Sequence, residues 1–266
     1  SFEEVLRDVR LAVDAGVREV VLIGQDTGLW GSDLSETDSL ATLLGRLADL
    51  FPDTWFRAMY TQPENVTDEL LEAMAAHDNV APYLDIPLQH CVGRILAAMN
   101  RTGSRDGFMR MLEEARCAVP GLAVRTTLIA GFPGETEDDF EELVSFVEDA
   151  EFDYVGVFPY SREEGTAAFS LDGQVDEDEK AYRAERLRTV ADAVSASVVS
   201  RRVGHACRVL VEGVEEDGQL FGRSIVQAPE VDGVTFLDAG RPGSIVEAVV
   251  EDTLMYDMEA VRNGRG

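Results

Sequence analysis

Lysine is almost absent from this chain: Lys180 is the only one in 266 residues. Basic residues of all kinds number 23 against 51 acidic ones, so the net charge is -28. Such a surface repels phosphate backbones and attracts basic partners at long range. Cysteine is scarce as well. Cys91, Cys117 and Cys207 lie far apart and make no C-x-x-C pair. That spacing speaks against a disulfide framework and a zinc site, and it fits the cytoplasm. No apolar run is long enough to span a membrane. No signal peptide is visible, because the residues from Phe2 onward already read as an amphipathic helix. Internal repeats and low-complexity tracts are lacking too. What remains is a chain long enough for one large domain or two smaller ones, each with a real core.

The most informative stretch runs from Arg125 to Phe140. Leu122 to Ala130 is a short apolar run of the kind that forms a buried parallel strand. Gly131, Pro133 and Gly134 break it. Thr136 and Asp139 form a capping box, and Phe140, Leu143, Val144 and Val147 share a helical face. The pattern is strand, glycine-rich turn, helix. In parallel α/β proteins ligands sit at such strand ends. Further strands are expected at Val17–Gly24, Trp55–Tyr60, Val80–Leu88 and Tyr154–Phe158. Helices are expected between them, at about 38–50, 67–76, 92–101 and 105–118. Five strands separated by helices predict a parallel sheet. A long polar helix follows, from about Glu177 to Arg201. Then the period changes to short alternating strands at Cys207–Val214, Leu220–Val226, Val231–Leu237 and Ser244–Val250, punctuated by glycine. These predict a small antiparallel all-β barrel. The division expected is 1–175, a linking helix at 176–202, and 203–266.

Polar clusters follow the strands: Gln25 and Asp26, Gln89 and His90, Gly131 to Glu135, and Tyr160 to Thr166 with Glu163 and Glu164. Taken singly, each reads as a cap, a turn or a solvated loop, and Arg125 as a buried or rim ion pair. Parallel neighbours would gather the four clusters at one rim, which is the pattern of a ligand site.

Gly24-Gln-Asp-Thr27, Pro87-Leu-Gln-His90, Gly131-Phe-Pro-Gly-Glu-Thr136 and Tyr160-Ser161 with Glu163-Glu-Gly-Thr166 occur in that order. Together they resemble the radical S-adenosylmethionine (SAM) methylthiotransferases. The C-terminal unit, with Gly222-Arg-Ser224 and Ala228-Pro-Glu-Val-Asp-Gly233, resembles their TRAM domain, an OB-like barrel. The resemblance implies a partial parallel radical-SAM (TIM-like) barrel followed by that TRAM barrel. Gln-Asp-Thr, Pro-Leu-Gln-His and Glu-Glu-Gly-Thr resemble the RimO branch, whose members methylthiolate an aspartate β-carbon of the twelfth small-subunit ribosomal protein. The tRNA-modifying MiaB branch, or a non-catalytic binding module, is the alternative.

Several expectations follow from this resemblance. The cofactors implied are SAM and two [4Fe–4S] clusters, whose cysteine ligands are absent from this sequence. The radical-SAM cysteine loop would lie before Ser1, so the chain is expected to be an inactive fragment of the enzyme. Gln25, Gln89, Gly131 and Glu135 are expected near SAM, with Arg125 as a partner for its carboxylate. His90, Glu163 and Glu164 are expected to face the substrate. No catalytic acid or base is assigned. Residues 203–266 hold five arginines (Arg208, Arg223, Arg241, Arg262 and Arg265) against twelve carboxylates. That balance favours a basic ribosomal protein as partner over tRNA.

Overall fold

The computed structural model describes residues 1–35 and 37–263; Arg265, counted above, lies outside the described residues. Five parallel strands occur: β1 Glu19–Leu22, β2 Trp55–Ala58, β3 Tyr83–Gln89, β4 Ala123–Ala130 and β5 Tyr154–Pro159. They stand in chain order. β1 pairs with β2, β3 to β5 form a second group, and a parallel bridge from Phe56 to Val80 links the groups. This order is that of a barrel wall and not of a doubly wound sheet, whose order reverses at a switch point.

Among the described residues six α-helices alternate with these strands: α1 Phe2–Asp14, α2 Leu40–Leu50, α3 Asp68–Ala76, α4 Gly93–Ala98, α5 Arg105–Ala118 and α6 Glu137–Ala150. Thr136 accepts from the Asp139 amide, and the Asp139 carboxylate accepts from the Thr136 amide at 2.7 Å, so the expected capping box forms. The helices bury Leu44, Leu70, Leu112 and Phe140 against Phe56, Leu84, Val124 and Leu128 of the strands. Alternate strand residues therefore point the other way, into the barrel lumen. A Cβ on Gly156 would meet Phe158, Arg125 and Thr127, which places those three on the lumen face together.

The long helix, α7 (Glu177–Ser200), buries a stripe at Lys180, Ala184, Leu187, Ala191, Ser195 and Val199. The last five strands are β6 Ala206–Val214, β7 Leu220–Ser224, β8 Thr235–Leu237, β9 Ile245–Leu254 and β10 Asp257–Arg262, closed in the order β10-β8-β7-β6-β9. Two expectations are corrected here. The barrel is not purely antiparallel, because β10 pairs with β8 in parallel. The expected strand at Val231–Leu237 shrinks to three residues because 228–234 is a loop that delivers Asp232 to the other unit. β10 itself escaped the sequence reading. Its hairpin turns at Met255 and Tyr256, with Met255 left-handed at φ 56°, so no glycine marks it.

The small barrel closes the amino ends of the parallel strands. Glu19, on the first residue of β1, is shared by two arginines. Arg57 Nε donates to it at 2.8 Å and Arg223 Nη2 at 2.5 Å. Arg57 is fully buried and also donates to the carbonyls of Ile225 and Gln227, at 2.8 and 3.1 Å. Its guanidinium lies over the Tyr83 ring. Beside it, Tyr83 Oη donates to Asp232 at 2.7 Å, and Arg125 pairs with Asp85 at 2.9 Å and faces Asp232 at 3.7 Å.

Glu19→Ala would leave two buried guanidiniums without their shared carboxylate. It should cost about 3–5 kcal/mol in urea unfolding. Arg7→Ala, which breaks an exposed pair with Asp8, should stay within about 0.5 kcal/mol.

Burial pushes the Asp232 carboxyl from the usual 3.8 up to about 6, against the pull of the Ala228 amide, Tyr83, Arg125 and Arg57. A raised carboxyl pKa means that the fold favours the protonated form. Its stabilising contribution is complete below the unfolded value and is lost as pH rises through the folded one. In unfolding measured from pH 4 to pH 7, Asp232→Asn should therefore remove a stability loss that the natural chain shows as pH rises towards 6. Parallel curves for the two proteins would refute this.

Candidate functional site

Parallel strands leave their carboxyl ends at one rim, and the small barrel covers the other end. The rim is organised by the turn after β4. Gly131 has φ 76°, a left-handed conformation that favours glycine. An added Cβ there would lie 2.5 Å from Lys180 Cγ. The Gly131 amide donates to both Glu135 oxygens at 3.0 Å. Arg183, from α7, donates to Glu135 Oε1 at 2.9 Å and to the Glu135 carbonyl at 3.2 Å. The Glu135 side chain is completely buried. It is a brace inside its own loop.

His90 completes this group. Its Nδ1 accepts the Val92 amide at 3.0 Å, which puts the ring proton of the neutral form on Nε2. Nε2 faces Glu135 Oε2 at 3.4 Å without an aligned hydrogen bond. Gln89 is the last residue of β3, and its backbone has φ 70°. Its Oε1 is buried with no hydrogen-bond partner among the described residues. A left-handed non-glycine residue with an orphaned acceptor, at a strand end, has the character of a ligand contact. On the lumen side of the rim, Ile23 and Phe158 leave apolar surface open, 70% and 55% exposed.

The structure thus brings Gln89, His90, Gly131 and Glu135 together. Gln25, after β1, and Glu163 and Glu164, after β5, are exposed residues at the two edges of the strand array. Two readings change. Arg125 is not at the rim: it lies five residues before Ala130, roughly 16 Å down the strand. There its charge is taken up by Asp85 and Asp232. His90 does not face outward to a substrate, because it is fully buried against Glu135. The sequence reading also missed Lys180 and Arg183. Their signal was available: the sole lysine of an acidic chain stands three residues from an arginine, on the buried stripe of a helix described only as polar.

The three cysteines do not fit an iron–sulfur cluster. Cys91 is buried, Cys117 is exposed on α5 and Cys207 lies in β6. Burial pushes the Cys91 thiol up to about 12 and that of Cys207 up to about 11. Thiolate ligands need the opposite. Among the described residues no group of three His, Cys, Asp or Glu side chains is placed to hold a metal ion.

Comparison with known proteins matches residues 1–147 to the radical SAM superfamily and residues 203–262 to the TRAM domain. The chain is similar to proteins named ribosomal protein uS12 methylthiotransferase RimO. It is 39% identical to that of Clostridium novyi over 98% of the chain and 59% of the relative. The protein of Syntrophus aciditrophicus is 42% identical, over 97% of the chain and 58% of the relative. The chain thus spans a little under two thirds of the length of these relatives. A solved structure of Methanocaldococcus infernus Elp3 with an N-terminal deletion matches over 97% of the chain and 81% of that protein, with 13% identity and a TM-score of 0.47.

The turn predicts a graded response to added methyl groups. Gly134 is also left-handed, at φ 83°, but a Cβ there meets nothing within 4 Å. Gly134→Ala should therefore cost only about 1–2 kcal/mol for the left-handed backbone. Gly131→Ala carries that cost plus about 1–3 kcal/mol for displacing the Lys180 stem. Urea unfolding of the two variants checks the order, and equal losses would mean that the stem yields freely.

Proposed function

Since the chain belongs to the radical SAM superfamily, we propose that it is the barrel and TRAM portion of an enzyme that adds a methylthio group to the β-carbon of an aspartate in ribosomal protein uS12. The observation that carries this reading is the match to the RimO proteins, which runs through barrel and TRAM unit alike at about 40% identity. We take 1–175, 176–202 and 203–266 as the working division into barrel, linking helix and TRAM domain.

The rim fits S-adenosylmethionine. Gln89 offers an unpaired buried acceptor, and Ile23 and Phe158 offer open apolar surface. In this family SAM supplies the radical that removes a hydrogen from the substrate. The residues of this chain bind and orient. Gln25 and Gln89 are the proposed polar contacts to SAM, and Gly131 with Glu135 shapes the turn beneath it. Arg125 closes the lumen floor instead of meeting the cofactor's carboxylate. Glu163 and Glu164, exposed beside the rim, are the proposed contacts to the protein substrate. The two [4Fe–4S] clusters belong to the whole enzyme of this proposal.

The charge distribution favours a basic protein over RNA. The described part of the TRAM unit has twelve carboxylates and four arginines. Arg223 is buried at the junction with Glu19 and Glu212, and Arg208 lies over Trp55 of the barrel. Only Arg241 and Arg262 remain exposed in that part. A basic ribosomal protein would be steered toward such a surface, and tRNA would be repelled.

Two experiments test this reading. After reconstitution with iron and sulfide, the 266 residues alone should release no deoxyadenosine from SAM, because they carry no set of cluster ligands. Turnover would overturn that assignment. A titration with uS12 and with tRNA at two salt concentrations should show binding to uS12 that weakens as salt rises. Tight, salt-sensitive tRNA binding without uS12 binding would move the chain to the tRNA-modifying reading.

A further inference from the structure

We propose that Lys180 and Arg183, on the helix that links barrel to TRAM domain, are positioning residues for the Gly131–Glu135 turn, and hence for SAM. This rests on the placement of SAM at the rim. Neither residue falls within the segments matched to the two domain families, which end at 147 and resume at 203.

Each residue meets the turn differently. The stem of Lys180 occupies the space that a side chain on residue 131 would need: its Cγ is 2.5 Å from the position of an added Cβ, and its Cβ is 3.1 Å away. Its ammonium is buried as well, 2.6 Å from the exposed Glu177 carboxylate and 5.1 Å from the Tyr160 ring centroid. Lys180 thus contacts the turn with its methylenes and pairs its ammonium with Glu177. Arg183 uses its fork. Nη1 holds the buried Glu135 carboxylate and carbonyl, Nη2 reaches Glu137 at 3.2 Å, and Nε is fixed by Glu179 at 2.6 Å. Its guanidinium also lies over the Phe140 ring, at 5.4 Å. One arginine therefore joins the turn to the first residues of α6.

Glu135 is the relay. Its carboxylate accepts the Gly131 amide with both oxygens and has Arg183 as its cation. Without that cation a buried carboxylate is poorly tolerated and turns away, which frees the Gly131 amide and the backbone next to Gln89. The far end of α7 is tied to the small barrel, where Tyr256 Oη donates to Asp192. A single 24-residue helix thus holds the rim turn at one end and the TRAM domain at the other.

The test uses the full-length enzyme that contains this chain, reconstituted with its clusters. Hydrogen exchange of the peptide covering residues 129–136, without SAM, reads the turn itself. Equilibrium dialysis with SAM reads the cofactor site. Arg183→Met should speed exchange of that peptide and raise the SAM dissociation constant about tenfold. Arg183→Lys, which keeps the charge but not the fork, should fall between. Lys180→Met, which keeps a long apolar stem, should behave like the natural enzyme, whereas Lys180→Ala should loosen the turn. Arg186→Met, one turn on and paired with Glu141, should change neither reading. Exchange unaltered by Arg183→Met would overturn the inference. So would faster exchange with unaltered SAM affinity. An enzyme that binds no SAM even without substitution would instead sink the placement of SAM at the rim, and the exchange data alone would then judge the brace.

Discussion

At the junction of the two halves of the molecule, beside the apolar cluster that joins Trp55 and Tyr83 to Ile225 and Val226, lies one buried carboxylate, Glu19, shared by both. Arg57 reaches it from the neighbouring parallel strand and Arg223 from the small barrel. Charges this deep are tolerated only when paired and hydrogen-bonded. The carbonyls of Ile225 and Gln227 supply further partners for Arg57 and Arg223. With this junction in place the small barrel is a floor under the parallel strands.

That floor decides which end of the strands is free for chemistry. The amino ends are filled by Arg57, Tyr83, Arg125 and Asp232, which bond to Glu19, to Asp85, to one another and to backbone carbonyls, with Arg57 Nη1 and Asp232 Oδ1 left without a hydrogen-bond partner among the described residues. The carboxyl ends keep open apolar surface at Ile23 and Phe158, beside the buried Gln89 Oε1. The same asymmetry explains the two roles of arginine here. At the floor it joins the two halves; at the rim, through Arg183, it stabilises a turn.

Acidity and stability pull in opposite directions in a chain with a charge of -28. Self-repulsion destabilises a compact state. Part of the small cation complement lies inside the fold. Arg57, Arg183, Arg223 and Lys180 are buried beside carboxylates, and the carboxylates in excess are left to the surface. The exposed surface carries arginines too, among them Arg7, Arg10 and Arg94, but carboxylates outnumber them, which suits a partner of opposite charge.

The sequence by itself determined what depends on local periodicity and on short motifs. It determined the five parallel strands, the capping box at Thr136 and Asp139, the glycine turn, and the change to a small barrel after residue 203. Each rests on residues within a few positions of one another, where spacing alone carries the information. It also placed Gln89, Gly131 and Glu135 at strand ends, because strand ends follow from strands. Side-chain direction was decided only in three dimensions. Arg125 and Glu135, read as SAM contacts, and His90, read as a substrate contact, form internal braces. They meet Asp232 (from Arg125), Glu135 (from His90) and Arg183 (from Glu135), 107, 45 and 48 residues away in the chain. Arg57 finds its carbonyl partners 168 and 170 residues on. Contacts across such separations have no period and no local composition to betray them, so only the packing of α7 and the small barrel against the parallel strands could reveal them.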